Sequence, residues 1–445
     1  MNQDAIYDAR QLGVPKMLLL GLQHMFAMFG ATILVPAITG LSISATLLFA
    51  GLGTLLFHLI TGRKVPAFLG SSFAFLGAYG LVTASGAEIP LTYSSFGVAC
   101  AGLLYLVLAL LFKVFGAQKV MRYFPPIVTG PVIIAIGLTL SQSAIDNCGA
   151  NWLVALMAIV VVIVFNIWGK GMLKIIPILL GVIASYVFSM IIDAPTRATL
   201  VENVSQAAWI GLPVKWENTA LSIFGNGFDG GVLVTAVITI MPIALATMVE
   251  HIGDICAISS TVGKNYVSDP GLHRTLTGDG LATAIAALFG APANTTYGEN
   301  TGVLALSKVY DPRVIRLAAI FAVILSFCPK FAAIIGAMPA ATIGGVSLVL
   351  YGMISAVGVR NVVENQVDFT KSRNVLIAAL ILVLSIGIKY SAASAISFQI
   401  ASFTISLSGL AVGAIVGIVL NAVLPGKDYE FHKDNEGSTS VNFEV

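Results

Sequence analysis

Polar and apolar positions follow a long period along this chain, not the short ones of soluble helices and strands. Apolar stretches of about 17 to 25 residues recur nearly end to end, each able to carry a helix across about 30 Å of hydrocarbon. They fall at 17–38, 43–61, 66–83, 95–115, 126–144, 152–168, 173–192, 233–255, 277–290, 293–307, 313–336, 340–358, 373–390 and 402–424, which predicts 14 spans. Those at 66–83, 277–290 and 293–307 are short or interrupted by Gly, Thr and Asn. The polar remainder is an N-terminal segment (1–16), a connection at 193–232 with Trp209, Trp216 and a Gly-rich run, and a tail at 425–445.

Charge placement tests the count. With both termini cytoplasmic, 14 alternating spans put 19 of the 23 Lys and Arg residues inside and leave Arg197, Lys215, Lys330 and Lys389 outside. Dropping any one span destroys that bias, so the positive-inside rule favours 14. Composition agrees with the class: 57% of the 445 residues are hydrophobic and 10% are charged, against about 25% charged in a soluble domain. A net charge of +2 offers nothing to nucleic acid. Residues 1–15 carry mixed charges and no small-residue cleavage site, so they do not read as a removable signal. Cys100, Cys148, Cys256 and Cys328 form no CxxC pair, and the five His residues lack metal-ligand spacing. No metal or cofactor is expected. Enzyme signatures are missing too, since the GxGxxG string at Gly225, Gly227 and Gly230 lacks the preceding strand of a βαβ unit.

Fourteen divides into seven plus seven. An odd count per half inserts the second half upside down, giving an inverted repeat. Weak internal similarity supports this. Pro125 is followed by Gly130, Val132 and Ser141, and Pro339 by Gly344, Val346 and Ser355 at the same offsets. The third and tenth spans correspond as well: Pro66 precedes Gly70-Ser71-Ser72-Phe73, and Pro292 precedes Thr295-Thr296-Tyr297-Gly298-Glu299. Interrupted segments at equivalent places in two halves point to a transporter's binding site. Hydroxyl and β-favouring residues there predict extended backbone before each half-helix, which a membrane tolerates only where protein or a water-filled cavity surrounds it.

Ionisable groups within spans are costly, so each is a functional candidate. Glu250 and Asp254, at i and i+4 near the end of the eighth span, stack on one face of a helix. Two carboxylates this close resist ionising together, the property a proton-coupled carrier needs. His251 lies about 100° away round the helix and fits packing or a hydrogen bond. Glu299 stands in the middle of the tenth span with no Lys or Arg near it in sequence. A carboxylate that merely caps a half-helix has the same sequence signature. Glu250 and Glu299 read as functional nonetheless, while Asp254, nearer the cytoplasmic end, fits either role. Asp279 opens the ninth span, where a helix N-cap fits as well as a functional role. His24, in the first span, fits packing or function. Glu364 and Asp368 belong to a solvated charged loop.

These residues carry a family likeness. Gln23-His24 in span one, Leu69-Gly70-Ser71-Ser72-Phe73-Ala74-Phe75 in span three and Glu250-His251-Ile252-Gly253 in span eight are its first parts. Asp269-Pro270-Gly271-Leu272-His273-Arg274 and Asn294-Thr295-Thr296-Tyr297-Gly298-Glu299-Asn300-Thr301-Gly302 complete it. Together they resemble the nucleobase–cation symporter family, also called nucleobase–ascorbate transporters, and within it the bacterial uracil branch. The resemblance runs from about residue 17 to 424. The family signature Asn-x-Gly-x4-Thr-Arg/Lys reads here as Asn300, Gly302, Ser307 and Lys308, with Ser in place of Thr.

The resemblance implies an all-α polytopic membrane fold of 14 spans in two inverted seven-span repeats, with short antiparallel strands opening spans three and ten. Spans 1–4 (17–115) and 8–11 (233–336) would form a core domain, and spans 5–7 (116–192) and 12–14 (337–424) a gate domain. By the same likeness Glu250 and Glu299 accept hydrogen bonds from ring N–H groups, and backbone amides of Phe73 and Gly298 reach carbonyl oxygens. Ser72, Phe73 and Tyr297 lie on or near the ring. Proton coupling would involve Glu250, Asp254, Glu299, His24 and Asp279. The implied partners are uracil or a related nucleobase, protons, the lipid bilayer of the cell membrane, and a second copy in a homodimer formed through the gate domain. Core would move against gate as an elevator or by rocking.

Uracil presents alternating donors and acceptors round a flat ring, and two carboxylates, two strand ends and an aromatic complement it with few groups left over. Two positions depart from the uracil branch. It carries His where this chain has Asp254 and Asn where it has Asp279, and acids there look like the purine branch. Purine members, however, carry Gln where this chain has Glu299. Proton-coupled uracil import is therefore expected, with xanthine or uric acid carriage, or sodium coupling, as the alternatives.

Overall fold

The structure, a computed structural model, describes residues 5–76, 79, 91–225, 228–400 and 403–427. The side chains of Met172, Ile175, Glu299, Gln399, Ile400, Phe403, Thr404 and Ile405 lie outside that set. Helices stand where the long apolar stretches predict them. In the first half these are α1 (Val14–Thr39), α2 (Ile43–Ile60), α3 (Leu91–Phe115), α4 (Pro126–Cys148), α5 (Trp152–Trp168), α6 (Pro177–Ile192) and α7 (Ala194–Gln206). The second half holds α8 (Gly230–Ile240), α9 (Ala244–Val262), α10 (Leu272–Leu288), α11 (Gly298–Ser307), α12 (Pro312–Ser326), α13 (Pro329–Gly336), α14 (Ala340–Glu364), α15 (Ser372–Lys389) and α16 (Gly409–Val423). Short helical turns lie between these, and two antiparallel ribbons pair β1 (Leu69–Ser71) with β2 (Asn294–Thr296) and β3 (Ala395–Ile400) with β4 (Phe403–Ser408). Among the described residues seven helices are long and apolar enough to cross a membrane, nine if each of two bent pairs is one span.

Several boundaries differ from the sequence expectation, each for a local reason. The last span, expected at 402–424, begins as strand β4, and only Gly409–Val423 is helical. Its first residues alternate Phe403, Ile405, Leu407 with Thr404, Ser406, Ser408, the period of a strand. Another strand, β3, repeats the pattern in Ile396, Phe398 and Ile400. The expected span 313–336 turns by 88° between α12 and α13, where Pro329 can continue no helical hydrogen bond. The ninth span starts at Leu272 and not at 277, so Asp279 lies two turns inside α10 and is no N-cap. The connection at 193–232 holds a helix, α7, bent 112° from α6 and capped by Asp193. Of the expected span 66–83, the part beyond Leu76 lies outside the described residues apart from Tyr79.

The helices pack in two groups. In one, α2 lies against α10 and α12, α3 against α10 and α8, and α1 against α12. In the other, α4 lies along α14, α5 against α6 and α14, and α15 against α4 and α16. The seam between the groups is formed by α1 and α9 facing α4, α6, α14 and α16. The α4–α14 contact is backbone to backbone. A Cβ on Gly130 would meet Val362 and the Gly358 carbonyl, one on Gly344 would meet the Cys148 amide and the Ala144 carbonyl, and one on Gly137 would meet the Tyr351 carbonyl at 2.2 Å. Small residues of this kind let membrane helices approach closely.

Candidate functional site

The first ribbon puts irregular backbone inside the protein, so its hydrogen bonds must be closed by neighbours. Leu69, Gly70 and Ser71 pair with Thr296, Thr295 and Asn294. The Ser72 amide donates to the Ala293 carbonyl at 2.8 Å, and the Tyr297 amide to the Phe68 carbonyl at 3.1 Å. On the outer edges, Thr54 Oγ1 of α2 accepts from the Leu69 amide at 2.9 Å, and His58 Nε2 lies 2.9 Å from the Ala67 carbonyl. Thr283 Oγ1 of α10 donates to the Asn294 carbonyl at 2.9 Å, and Asn294 Nδ2 donates to the Phe49 carbonyl at 3.1 Å. Proline at 66 and 292 keeps the approach to each strand out of helix.

A cavity of about 450 Å³ lies against this ribbon. Its one wall carries Glu250, Asp254, Phe73, Thr296, Tyr297 and Gly298, and its other wall carries Met353, Val357 and Arg360 of α14 with Asn166 and Lys174. Glu250 and Asp254 reach it from one face of α9, as their spacing requires. Asp254 Oδ2 accepts from Thr296 Oγ1 at 2.6 Å, joining the acid to the strand. Tyr297 lines the cavity, and its hydroxyl donates to the Ser71 carbonyl at 2.8 Å and accepts from Thr32 Oγ1 at 3.3 Å. Phe73, buried, stacks edge-on with Tyr351 of α14 at a centroid distance of 5.6 Å. Gly298 opens α11, whose N-cap Tyr297 supplies no side-chain cap, and a Cβ there would meet nothing within 4 Å. The first-turn amides of α11, which begins at Gly298 on the cavity wall, have no partner within the helix itself.

Of the other sequence candidates, His24 and Asp279 lie behind this surface. Glu299 follows Gly298 in the first turn of α11, and its side chain lies outside the described residues. His24 is fully buried and away from the cavity, where Asn300 Nδ2 donates to its carbonyl at 3.0 Å and lies 3.2 Å from its Nδ1. Asp279 is also fully buried, with its Oδ2 3.0 Å from Nδ1 of His251. This close contact brings α9 and α10 together at His251 and Asp279. Ser72 contributes backbone to the ribbon, and its buried hydroxyl has no partner among the described residues.

Residues 15–394 match the family described as Permease family. The uracil permease of Bacillus caldolyticus is 40% identical over 441 residues, 96% of each chain. The chain belongs to the nucleobase–cation symporter family. The uracil permease of Bacillus subtilis is 38% identical over 91% of each chain. The transmembrane domain of the cyanobacterial bicarbonate transporter BicA superposes with a TM-score of 0.58 over 94% of this permease and 99% of that chain, at 14% identity, and shares its fold. Family membership makes the chain a transporter and not an enzyme, and a multi-pass membrane protein.

Sequence reasoning passed over Thr296, the partner of Asp254, and over Thr54, His58 and Thr283, which close the ribbon's edges. Their signal was available: polar side chains inside otherwise apolar spans are expensive unless partnered. For the permease, Asp254→Asn should leave the Thr296 contact possible while removing the ionisable group. Its uptake, measured across pH alongside wild type, is expected to depend less on pH than that of wild type. A pH profile identical to wild type would make Asp254 a structural tie to β2.

Proposed function

We propose that this permease imports uracil together with a proton. The observation that carries the reading is the cavity wall on which Glu250, Tyr297 and Gly298 at the start of α11 meet. A carboxylate accepts ring N–H groups, free amides donate to ring carbonyls, and an aromatic covers the flat face. Glu299, in that same first turn, is the second acceptor in this reading. Uracil permease relatives along almost the whole length support the substrate. Glu250 and Asp254, one helical turn apart, are the proton's proposed seat, with Glu299, His24 and Asp279 as its further candidates.

In the proposed architecture the 14 spans form two inverted repeats. Support comes from the packing: adding seven spans to both members turns the α3–α10 contact into α12–α2, α1–α12 into α8–α3, and α5–α6 into α16–α15. The glycine contacts follow the same rule. The offset from Pro125 to Pro339 converts Gly130 against Val362 into Gly344 against Cys148, and leaves Gly137 against Tyr351 unchanged. The two helix groups are the proposed core and gate domains, moving as an elevator or by rocking, with dimerisation through the gate. Lys174 and Arg360 rim the cavity on the side that the charge rule makes cytoplasmic, together with both termini, so the structure is read as inward-open. A second cavity of about 410 Å³, lined by Leu76, Tyr79, Gln142, Asp146 and Lys389, lies toward the opposite face and supports alternating access.

Labelled uracil uptake into a strain lacking its own permease tests the reading. Accumulation abolished by a protonophore, and competed by excess uracil but not by xanthine, is expected. Strong xanthine uptake without uracil uptake would replace the substrate, and dependence on sodium with indifference to the protonophore would replace the coupling ion.

A further inference from the structure

Residues 6–9 run across the ends of α9 and α11, outside the proposed substrate cavity. The Ile6 amide donates to the Lys308 carbonyl at 2.9 Å, and the Tyr310 amide donates back to the Ile6 carbonyl at 2.8 Å, a single parallel bridge just past α11. The Ala9 amide donates to Asp311 Oδ2 at 2.7 Å. Between these contacts Tyr7 turns the other way. Its hydroxyl donates to the carbonyl of Val262, the last residue of α9, at 2.7 Å. Its ring lies under Lys264 Nζ at 4.5 Å and beside the Tyr310 ring at 5.5 Å. Asp8 bonds Arg313 at 2.8 Å and Arg10 at 2.6 Å. The Arg10 bonds hold the Asp8 carboxyl well below the usual carboxylate range, so it stays charged.

One segment of four residues is therefore bonded to both helices that line this side of the cavity: to the end of α9, which bears Glu250 and Asp254, and to the chain leaving α11, which begins at Gly298. The half-helix α11 has only ten residues, so a shift at its end is felt at its start. At its other end α11 is held separately by α1, where Asn300 Nδ2 donates to the His24 carbonyl. Exposed ion pairs such as Asp8–Arg313 contribute little to stability. The main-chain bridge and the Tyr7 bond are directional, and what they fix is distance.

We propose that residues 6–9 form a strap that sets the spacing of α9 and α11, with Tyr7 as a positioning residue for substrate binding. The substrate named in its test rests on the uracil reading above; the strap itself does not. Sites that depend on spacing lose much of their efficiency when their supports loosen by an ångström.

The test uses purified full-length permease, a Tyr7→Phe variant, a Tyr7→Ala variant and a deletion of residues 2–9. Uracil Kd and backbone hydrogen exchange are measured for each. Tyr7→Phe should raise the Kd about fivefold, the effect of one hydrogen bond, and the deletion on the order of tenfold or more. Exchange should quicken over 298–311 while α4 and α14 keep wild-type protection. Wild-type exchange over 298–311, or faster exchange there with an unchanged Kd, overturns the strap as a positioning device. Faster exchange in α4 and α14 as well overturns it in favour of general destabilisation. If wild-type protein binds no uracil, the substrate reading fails alone, and exchange over 298–311 with the base it does bind decides the strap.

Discussion

Glu250→Gln is expected to abolish high-affinity uracil binding while leaving the folded permease intact. Gln matches Glu in size, and position 250 lies on a cavity wall rather than in tight packing, so the fold should tolerate it. The chemistry does not. A carboxylate accepts at both oxygens, whereas an amide turns an N–H donor toward a ring N–H and leaves two donors face to face. Losing a charge-assisted hydrogen bond and leaving its partner unsatisfied weakens binding by on the order of 10²-fold. Titration calorimetry on purified protein checks this, with the thermal midpoint as control for folding. Glu299→Gln should behave alike if the first turn of α11 supplies the second acceptor. Retained binding in both variants would move the substrate site elsewhere.

Gly70→Val should be as damaging, by a different route. Gly70 is the middle residue of β1, and a Cβ there would meet Cε2 and Cζ of Tyr297 at 2.4 Å and Thr32 Oγ1 at 2.7 Å. The Tyr297 ring cannot swing aside without its hydroxyl giving up its bond to the Ser71 carbonyl, and Tyr297 is a residue of the cavity wall. Overpacking of this kind typically costs about 1–3 kcal/mol, here concentrated on the substrate wall. Uptake is expected to vanish, with membrane expression reduced less. Gly298→Ala is the contrasting control, since its Cβ enters open space and should lower affinity only by narrowing the cavity. Wild-type uptake by Gly70→Val would show that the Tyr297 ring does not have to stand where the structure puts it.

Most of the helices were legible because length and hydropathy alone decide what can cross a bilayer, and the boundaries of α2, α5 and α15 fall within a residue or two of the apolar stretches. The last span misled because an apolar content suited to a helix coincided with a period-two pattern, and at 395–408 the pattern prevailed. The broken third and tenth spans were legible from Pro, Gly and Thr, and the ribbon pairs Gly70 with Thr295 as those interruptions suggested. Glu250 and Asp254 were legible through cost, since a carboxylate in an apolar span needs a reason. Asp279 was legible by the same rule, but its partner was not: 28 positions separate it from His251, and no local pattern records which faces of α9 and α10 meet.

By itself the sequence determined the class of the molecule, the rough positions of its membrane helices, the two places where they break and the few acids worth asking about. Each of these depends on a property of one short stretch in a low-dielectric solvent, so it can be read locally. Tertiary structure decided which of those acids share a cavity, that Thr296 holds Asp254, that His24 and Asp279 stand behind the wall, and that residues 6–9 join α9 to α11. Those facts depend on which faces meet across separations of up to 305 residues, and that is settled only when the helices pack.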